Sequence, residues 1–248
     1  MKLHTVLVDY TVKKALAVAA VAGVKVEVVL CTGSDLATHS ADAKTMCLED
    51  DAGAKTANNL PILKAIAAAG SDIGQSLLGG AEAASVEEWL DFSWKQLETP
   101  LQVLLAKQAG DKEMLGIQAV TDASAVGASA NNDIDAALVR LADALSTRTF
   151  LVGESLTLAD IAVSVALNRA KEVSNFSPLT ASNAVRRWYY TCCSNPAMAA
   201  LYQEQMPPSP AATSLGIVEK WDRCRIRVKE LLAQQEAAIG STVVVKGW

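Results

Sequence analysis

The sequence predicts an α/β domain, followed by an all-helical region and a further C-terminal helix. Near the N-terminus, two short β-branched runs flank an alanine-rich run, and the periodic segments beyond residue 80 have helical spacing. Apolar residues make up 51% of the 248 residues, whereas aromatic residues make up only 5%. Because alanine is the best helix former and lets helices approach closely, this composition favours packed helices over a sheet sandwich.

The first elements have the order of a βαβ unit. A strand is predicted over Leu3 to Val8, and a helix follows it with Thr11 as its N-cap and Gly23 as its stop. The run "KVEVVLC" predicts a second strand. Strand, helix and strand therefore fit within about thirty residues, which is the length of a compact βαβ unit.

A hairpin and a helix complete the predicted N-terminal domain, residues 1–80. After a polar loop, "KTMCLEDDAGAKTAN" has two short arms around Asp51, Ala52 and Gly53, as in a β-hairpin. The run "LPILKAIAAAG" predicts a helix that tolerates Pro61 near its start and ends at Gly70. A βαβ unit followed by ββα is typical of a small α/β domain.

The predicted helical domain, residues 81–206, begins with "SVEEWLDFSWKQLETPLQVLLAKQAG". This is a long amphipathic helix with Ser85 as its cap, Glu88 three residues later and a kink at Pro100. The small residues of "TDASAVGASANN" predict a loop, and "DIDAALVRLADALSTR" predicts an amphipathic helix after it.

The stretch "RTFLVGESLTLADIAVSVAL" predicts a tight turn before a fully buried helix. Gly153 allows a turn that a side chain would crowd, and Thr157 with Asp160 matches a capping box. Losing such a cap costs about 0.5–2 kcal/mol of stability. The helix behind it has almost no polar face, and the stretch offers no nucleophile, base or metal ligand, so its predicted role is structural.

Two more helices, "ASNAVRRWYYTCCSN" and "PAMAALYQEQM", precede a linker, "PPSPAATS", and a tail helix in the predicted segment 207–248. Apolar residues of the tail alternate steps of four and three, as in a coiled-coil seam. Three roles stay open for this helix: binding tRNA or another polyanion, pairing with a partner helix, or packing back on the domain. The seam is Ile217, Trp221, Cys224, Val228 and Leu231, and the basic residues are Lys220, Arg223, Arg225, Arg227 and Lys229.

Charge and cysteine content narrow the class of protein. The formal net charge of −5 disfavours a body that coats nucleic acid, although a local basic patch is compatible with it. The N-terminus has no secretory signal pattern, and an odd number of cysteines without CxxC spacing indicates reduced thiols in the cytoplasm. No metal site is predicted, since the cysteines fit helix packing better. They are Cys31, Cys47, Cys192, Cys193 and Cys224.

The segment "TRTFLVGESLTLADIAV", together with the order βαβ then ββα, resembles the glutathione transferase fold. With "RRWYYTC" and "EEWLDFSWKQL", it is most similar to one branch. That branch holds the gamma subunit of the eukaryotic elongation factor 1 complex and the glutathione-transferase-like domains of aminoacyl-tRNA synthetases. The resemblance implies a thioredoxin-like domain, then the helical glutathione transferase domain, over roughly residues 1–205.

The resemblance also implies where a glutathione site would lie, and the sequence departs from the family there. Tyr10 and Thr11 lie near the family's thiol-activating position, no proline precedes "TMCLED", and Asn58 and Asn59 replace the Glu/Gln-Ser pair. A neutral amide is a poor partner for an ammonium group. We therefore expect that glutathione chemistry is lost, and an active transferase with glutathione as cofactor is the alternative.

The implied role is assembly of translation-complex proteins, through a homo- or heterodimer of the glutathione transferase type. In synthetase-type relatives, the helix at "RRWYYTC" forms the partner surface through arginines, which implies docking through Arg186 and Arg187. In the tail helix, Trp221 is predicted to be a further partner contact because it supplies a large apolar side chain. Weak tRNA binding is a further expectation, and no membrane contact is expected. An adaptor role in another large complex is the other alternative.

Overall fold

The computed structural model describes residues 1–6, 8–39, 46–109, 123–173 and 182–202, all of which belong to the unit Met1–Gln203. A four-stranded sheet with helices comes first, and helices follow it. The strands are β1 (Lys2–Thr5), β2 (Glu27–Leu30), β3 (Met46–Glu49) and β4 (Lys55–Ala57). The helices are α1 (Tyr10–Ala22), α2 (Gly33–His39), α3 (Asn59–Ala69), α4 (Asp72–Leu77), α5 (Ala83–Phe92), α6 (Thr99–Ala109), α7 (Ala123–Ala144), α8 (Leu158–Val173), α9 (Asn183–Cys193) and α10 (Pro196–Tyr202).

The sheet has the order β2-β1-β3-β4 and confirms the predicted βαβ and ββα units. β1 pairs with β2 in parallel and with β3 antiparallel, and β4 completes the predicted hairpin. Leu3 lies opposite Leu48 in the β1–β3 ladder, and both side chains are buried on the same face. α1 and α3 pack together beside the sheet, whereas α2 contacts β3.

The ends of α1 separate one correct prediction from one wrong prediction. Gly23 ends the helix in a left-handed conformation, with φ of 69°, as expected of a glycine stop. At the other end the cap is Asp9, not Thr11: its carboxylate accepts from the Thr11 and Val12 amides. Thr11 lies inside the first turn, where its hydroxyl donates to the same carboxylate.

The long helix predicted from residue 85 is divided into two α-helices. α5 begins at Ala83, so Ser85 lies inside its first turn and is not the cap. The interruption precedes Pro100: a π-helical segment, Ser93–Glu98, joins α5 to α6. A π-helical segment changes which side chains face inward. It carries Glu98 into the interior, where this carboxylate is only 2% exposed.

The small-residue loop predicted over residues 121–132 is wrong in its described part, because α7 already begins at Ala123. Small residues here serve close packing. Ala130 and Ile134 of α7 join Leu101 and Leu104 of α6 in one buried cluster, together with Ala170. Alanine lets the two helices approach closely, and it also has the highest helix propensity.

α8 lies at the centre of the described helices, as predicted. Every residue from Thr157 to Asn168 is buried, and the helix contacts α1, α5, α6 and α9. A helix that is apolar all round belongs in a core rather than at a surface. Throughout the parts of the chain that the structure describes, we find no helix long and apolar enough to cross a membrane.

Candidate functional site

The start of α1 is the position where the family resemblance places a thiol-activating hydroxyl. Asp9 Oδ1 accepts from the Thr11 amide at 2.9 Å, from the Val12 amide at 3.1 Å and from Thr11 Oγ1 at 2.5 Å. Thr11 is only 6% exposed. Its hydroxyl proton is therefore committed to the cap and does not point to a ligand.

Tyr10 lies next to this cap, and its hydroxyl accepts a hydrogen bond from Gln102 Nε2 at 2.5 Å. Burial, reinforced by the negative charge of Glu98, raises the pKa of Tyr10 well above its ordinary value. A hydroxyl that stabilises a thiolate acts by donating a strong hydrogen bond, and a less acidic phenol donates a weaker one. The environment of Tyr10 thus opposes thiol activation.

A buried ion pair lies beside Tyr10 and connects α1 to the π-helical segment. Lys14 Nζ is 2.6 Å from Glu98 Oε2, and both side chains are 2% exposed. Ser93 donates to the other Glu98 oxygen at 2.8 Å, and the Lys14 ammonium is 5.3 Å from the centre of the Tyr10 ring. Each charge is compensated, as buried charges must be. Neither group is accessible to a substrate.

A cavity of about 190 Å³ opens at this end of α1, between α1 and α8. Sites for small ligands are typically about 300–1,000 Å³, so this cavity is small for a tripeptide. Asn58 and Asn59 do not line it. Its lining residues are Val8, Asp9, Tyr10, Lys13, Val165, Asn168 and Arg169.

The predicted cap of α8 is an internal hydrogen-bond node centred on Asp160. Asp160 Oδ2 accepts from the Thr157 amide and hydroxyl, both at 3.0 Å. Its Oδ1 accepts from the Leu151 amide at 2.9 Å and from Trp188 Nε1 at 2.8 Å. Burial raises the pKa of Asp160, and the hydrogen bonds partly oppose this. The Thr157 hydroxyl donates to the carboxylate, whereas the hydroxyl of a capping box accepts from the amide three residues later.

Gly153 precedes this node in a left-handed conformation, with φ of 63°. A Cβ atom at this position would lie 2.7 Å from Glu82 Oε2, inside normal contact distance. The left-handed backbone conformation therefore favours glycine, whereas the Glu82 carboxylate ends an exposed, flexible side chain that can move aside.

Arg186 and Arg187 are both exposed on α9, but their side chains have different partners. Arg187 donates to the Leu145 and Arg148 carbonyls at 2.8 and 2.9 Å, just beyond the end of α7. Arg186 bonds only within its own helix, to Asn183 Oδ1, among the contacts of the described residues. Carbonyls at a helix end need such donors, so Arg187 has a structural role that Arg186 lacks.

Comparisons of the sequence with known proteins indicate a family for part of this chain. Residues 101–196 match the family described as "Glutathione S-transferase, C-terminal domain". Elongation factor 1-gamma of Artemia salina is 32% identical over 172 residues, which is 67% of this chain and 37% of that protein. Residues 101–196 therefore belong to the glutathione S-transferase C-terminal domain family. The chain spans well under half the length of its curated relative.

Solved glutathione transferase structures have the same fold as this chain, at low sequence identity. A glutathione S-transferase domain-containing protein of Marinobacter aquaeolei VT8 has a TM-score of 0.68 and 17% identity, covering 80% of this chain and 100% of that one. A glutathione S-transferase of Methylobacillus flagellatus, solved with glutathione bound, has a TM-score of 0.67 and 20% identity, covering 80% and 97%. At these identities the likeness concerns the fold alone.

Asn58 and Asn59, which we predict to replace the Glu/Gln-Ser pair, lie at the start of α3. Asn58 is exposed and has φ of 72°, which is uncommon for a residue other than glycine. Asn59 Oδ1 is buried and has no hydrogen-bond partner in the described parts of the chain. Neither side chain carries a charge for an ammonium group, and neither reaches the cavity at α1.

The described cysteines behave as core residues of this transferase-like fold. Cys47, Cys192 and Cys193 are buried, and Cys31 is half-buried with its thiol donating to the Thr5 carbonyl at 3.5 Å. Burial raises the pKa of the Cys47 and Cys192 thiols, which disfavours the reactive thiolate.

The structure adds residues that the sequence reasoning missed. Asp9 had a local signal, since aspartate is a favoured N-cap and Asp9 directly precedes the alanine-rich helix. Glu98 and Gln102 had none, because they meet α1 only through the tertiary fold. The predicted tail residues lie outside the described residues: Lys220, Trp221, Arg223, Cys224, Arg225, Arg227 and Lys229.

Proposed function

We propose that this chain is a non-catalytic protein–protein interaction module of the translation machinery, in the manner of elongation factor 1-gamma. The observation that carries the proposal is the 32% identity to that protein over 172 residues. The proposed setting is the cytoplasm, and the proposed partners are other proteins of an elongation factor or aminoacyl-tRNA synthetase complex.

The chemistry at the start of α1 supports the non-catalytic part of the proposal. The Thr11 hydroxyl is committed to Asp9, and the raised pKa of Tyr10 makes its hydroxyl a weaker donor. The adjoining cavity of about 190 Å³ is small for glutathione, and no carboxylate stands at Asn58 or Asn59. Residues that could act on a thiol are used instead to hold α1 in place.

The exposed end of α9 supports the interaction part. Arg186 projects a guanidinium on the surface beside a buried face formed by Val185, Trp188 and Tyr189, which holds the helix rigidly. Arginine is enriched at protein interfaces, and its side chain offers several donors on a planar guanidinium together with an apolar aliphatic stem. We propose that Arg186 contacts the partner in a homo- or heterodimer.

Two measurements on the same purified chain test this function. Calorimetry with glutathione, paired with a conjugation assay using chlorodinitrobenzene, should give neither binding nor turnover. Micromolar binding with turnover that falls in Tyr10→Phe or Thr11→Val would instead establish an active transferase. In parallel, affinity purification from the source cell should enrich elongation factor 1 subunits or aminoacyl-tRNA synthetases, identified by mass spectrometry.

A matched pair of variants makes the second measurement specific. Arg186→Ala should lower recovery of these partners at least tenfold without changing the melting temperature. Lys95→Ala, which removes an exposed cation of the π-helical segment, should leave recovery unchanged. Enrichment of proteins unrelated to translation, or equal recovery with Arg186→Ala, would count against the respective parts of the proposal.

A further inference from the structure

The two histidines of the chain meet beside the sheet, although one lies on β1 and the other ends α2. His4 Nε2 is 3.0 Å from Glu49 Oε2, and His39 Nδ1 is 4.0 Å from the same oxygen. One ligand atom from each of the three residues lies within 4.8 Å of the others. The imidazole rings stack with their centres 3.8 Å apart.

The strand register explains why the carboxylate faces His4. His4 lies opposite Cys47 in the antiparallel β1–β3 ladder, and Glu49 follows Cys47 by two residues on the same face. α2 contacts β3 and delivers His39 from its last turn. The fold therefore brings both imidazoles to one carboxylate without using any part of the cavity at α1.

Packing and hydrogen bonding leave this cluster incomplete. The His4 side chain is 8% exposed. His39 Nδ1, the nitrogen that faces Glu49, is buried and has no hydrogen-bond partner among the described residues. Burying an imidazole nitrogen without a hydrogen bond is costly.

We propose that His4, His39 and Glu49 bind a divalent transition metal ion of the Zn²⁺ type, with water completing its coordination. Imidazole nitrogen and carboxylate oxygen are ordinary zinc ligands, at about 2.0–2.2 Å from the ion. In a tetrahedron, such bonds place neighbouring ligand atoms about 3.4 Å apart, which lies between the observed 3.0 and 4.0 Å.

Binding requires the two nearly parallel rings to turn, so that their lone pairs converge on one ion. The His39 ring can make this movement because it ends a helix and its side chain is 24% exposed. His4 is held in the sheet and supplies the fixed ligand. The ion would join α2 to β1 and β3, so binding to the folded state should raise the melting temperature.

Zinc titration of the untagged protein tests the proposal directly. Calorimetry should show one equivalent of Zn²⁺ bound, whereas Mg²⁺, which prefers oxygen ligands, should give no heat. Because the chain has only two histidines, ¹⁵N-histidine NMR should show both ring signals shifting together during the titration. Absence of zinc binding, or binding that leaves both histidine signals unmoved, would overturn the site.

Matched variants distinguish this site from zinc held elsewhere. His39→Ala and Glu49→Gln should each weaken Zn²⁺ binding at least tenfold, and both replace partly exposed side chains that the core does not need. Glu27→Gln, which removes an exposed carboxylate from the neighbouring strand, should bind as wild type does. Zinc bound by the cysteines would persist in His39→Ala, and equal affinity in that variant would refute the proposal.

Discussion

Two helices of this protein begin with the same local chemistry but in different surroundings. At α1 and at α8, an aspartate carboxylate accepts hydrogen bonds from both the hydroxyl and the backbone amide of one threonine. Asp9, at α1, is half-buried and lies at the edge of a small cavity. Asp160, at α8, is fully buried and also receives donors from Leu151 and Trp188.

The comparison shows that a threonine hydroxyl at a helix start can have a stabilising role even at the position where the family resemblance suggests a catalytic one. The Asp160 carboxylate at α8 accepts hydrogen bonds from three separate parts of the chain. These contacts are enough to assign it a structural role. The α1 carboxylate uses the same Thr–Asp contact one step from a cavity. At both helix starts the threonine hydroxyl donates a hydrogen bond to a carboxylate. Only the start of α1 also lies beside a cavity, as a ligand-binding site would.

The largest expected effect comes from Asp160→Asn. The amide has one oxygen where the carboxylate has two, so two of the four buried donors around Asp160 lose their acceptor. Each buried donor left unpaired costs about 1–3 kcal/mol, so we expect a loss of about 2–6 kcal/mol in the free energy of unfolding. Urea denaturation followed by circular dichroism measures it.

The control for this change is Asp143→Asn, which makes the same replacement on an exposed carboxylate of α7. It should alter stability by less than about 0.5 kcal/mol, as surface substitutions usually do. Equal stability of the Asp160 and Asp143 variants would mean that the node at α8 is not the structural centre that its contacts indicate.

A smaller effect is expected at α1, where Asp9→Ala removes the cap. Loss of an N-cap costs about 0.5–2 kcal/mol, and Asp9→Asn should recover most of it because asparagine caps equally well. Urea denaturation of both variants distinguishes the contribution of the capping hydrogen bonds to stability from that of the negative charge. If Asp9→Ala destabilised the protein as much as Asp160→Asn, the contrast between the two helix starts would be lost.

The same two regions show how far the sequence predicts the structure. At α8, glycine, threonine and aspartate within eight residues predict the turn, the carboxylate bond to the Thr157 amide and the buried helix. This succeeds because capping is local. At α1, two capping residues, Asp9 and Thr11, lie two positions apart, and only the backbone conformation decides which one precedes the helix.

Contacts between distant segments have no such local signal. Lys14 and Glu98 are 84 residues apart and meet only because the π-helical segment turns Glu98 inward. The same holds for His4 and Glu49, which the β1–β3 register brings together. Periodicity predicts which faces are apolar, but it does not predict which buried polar groups pair across the fold.

The smallest expected effect concerns α9, which extends the α8 node through Trp188 and reaches the end of α7 through Arg187. Arg187→Ala leaves the Leu145 and Arg148 carbonyls without that donor, and water can replace it in part because the site is exposed. We expect a loss of about 0.5–1 kcal/mol, whereas Arg186→Ala should have no measurable effect on stability. Thermal denaturation of both variants under one set of conditions makes the comparison. A matched loss in the two variants would show that adjacent arginines share one role, and it would remove the reason for assigning the partner contact to Arg186 and the fold contact to Arg187.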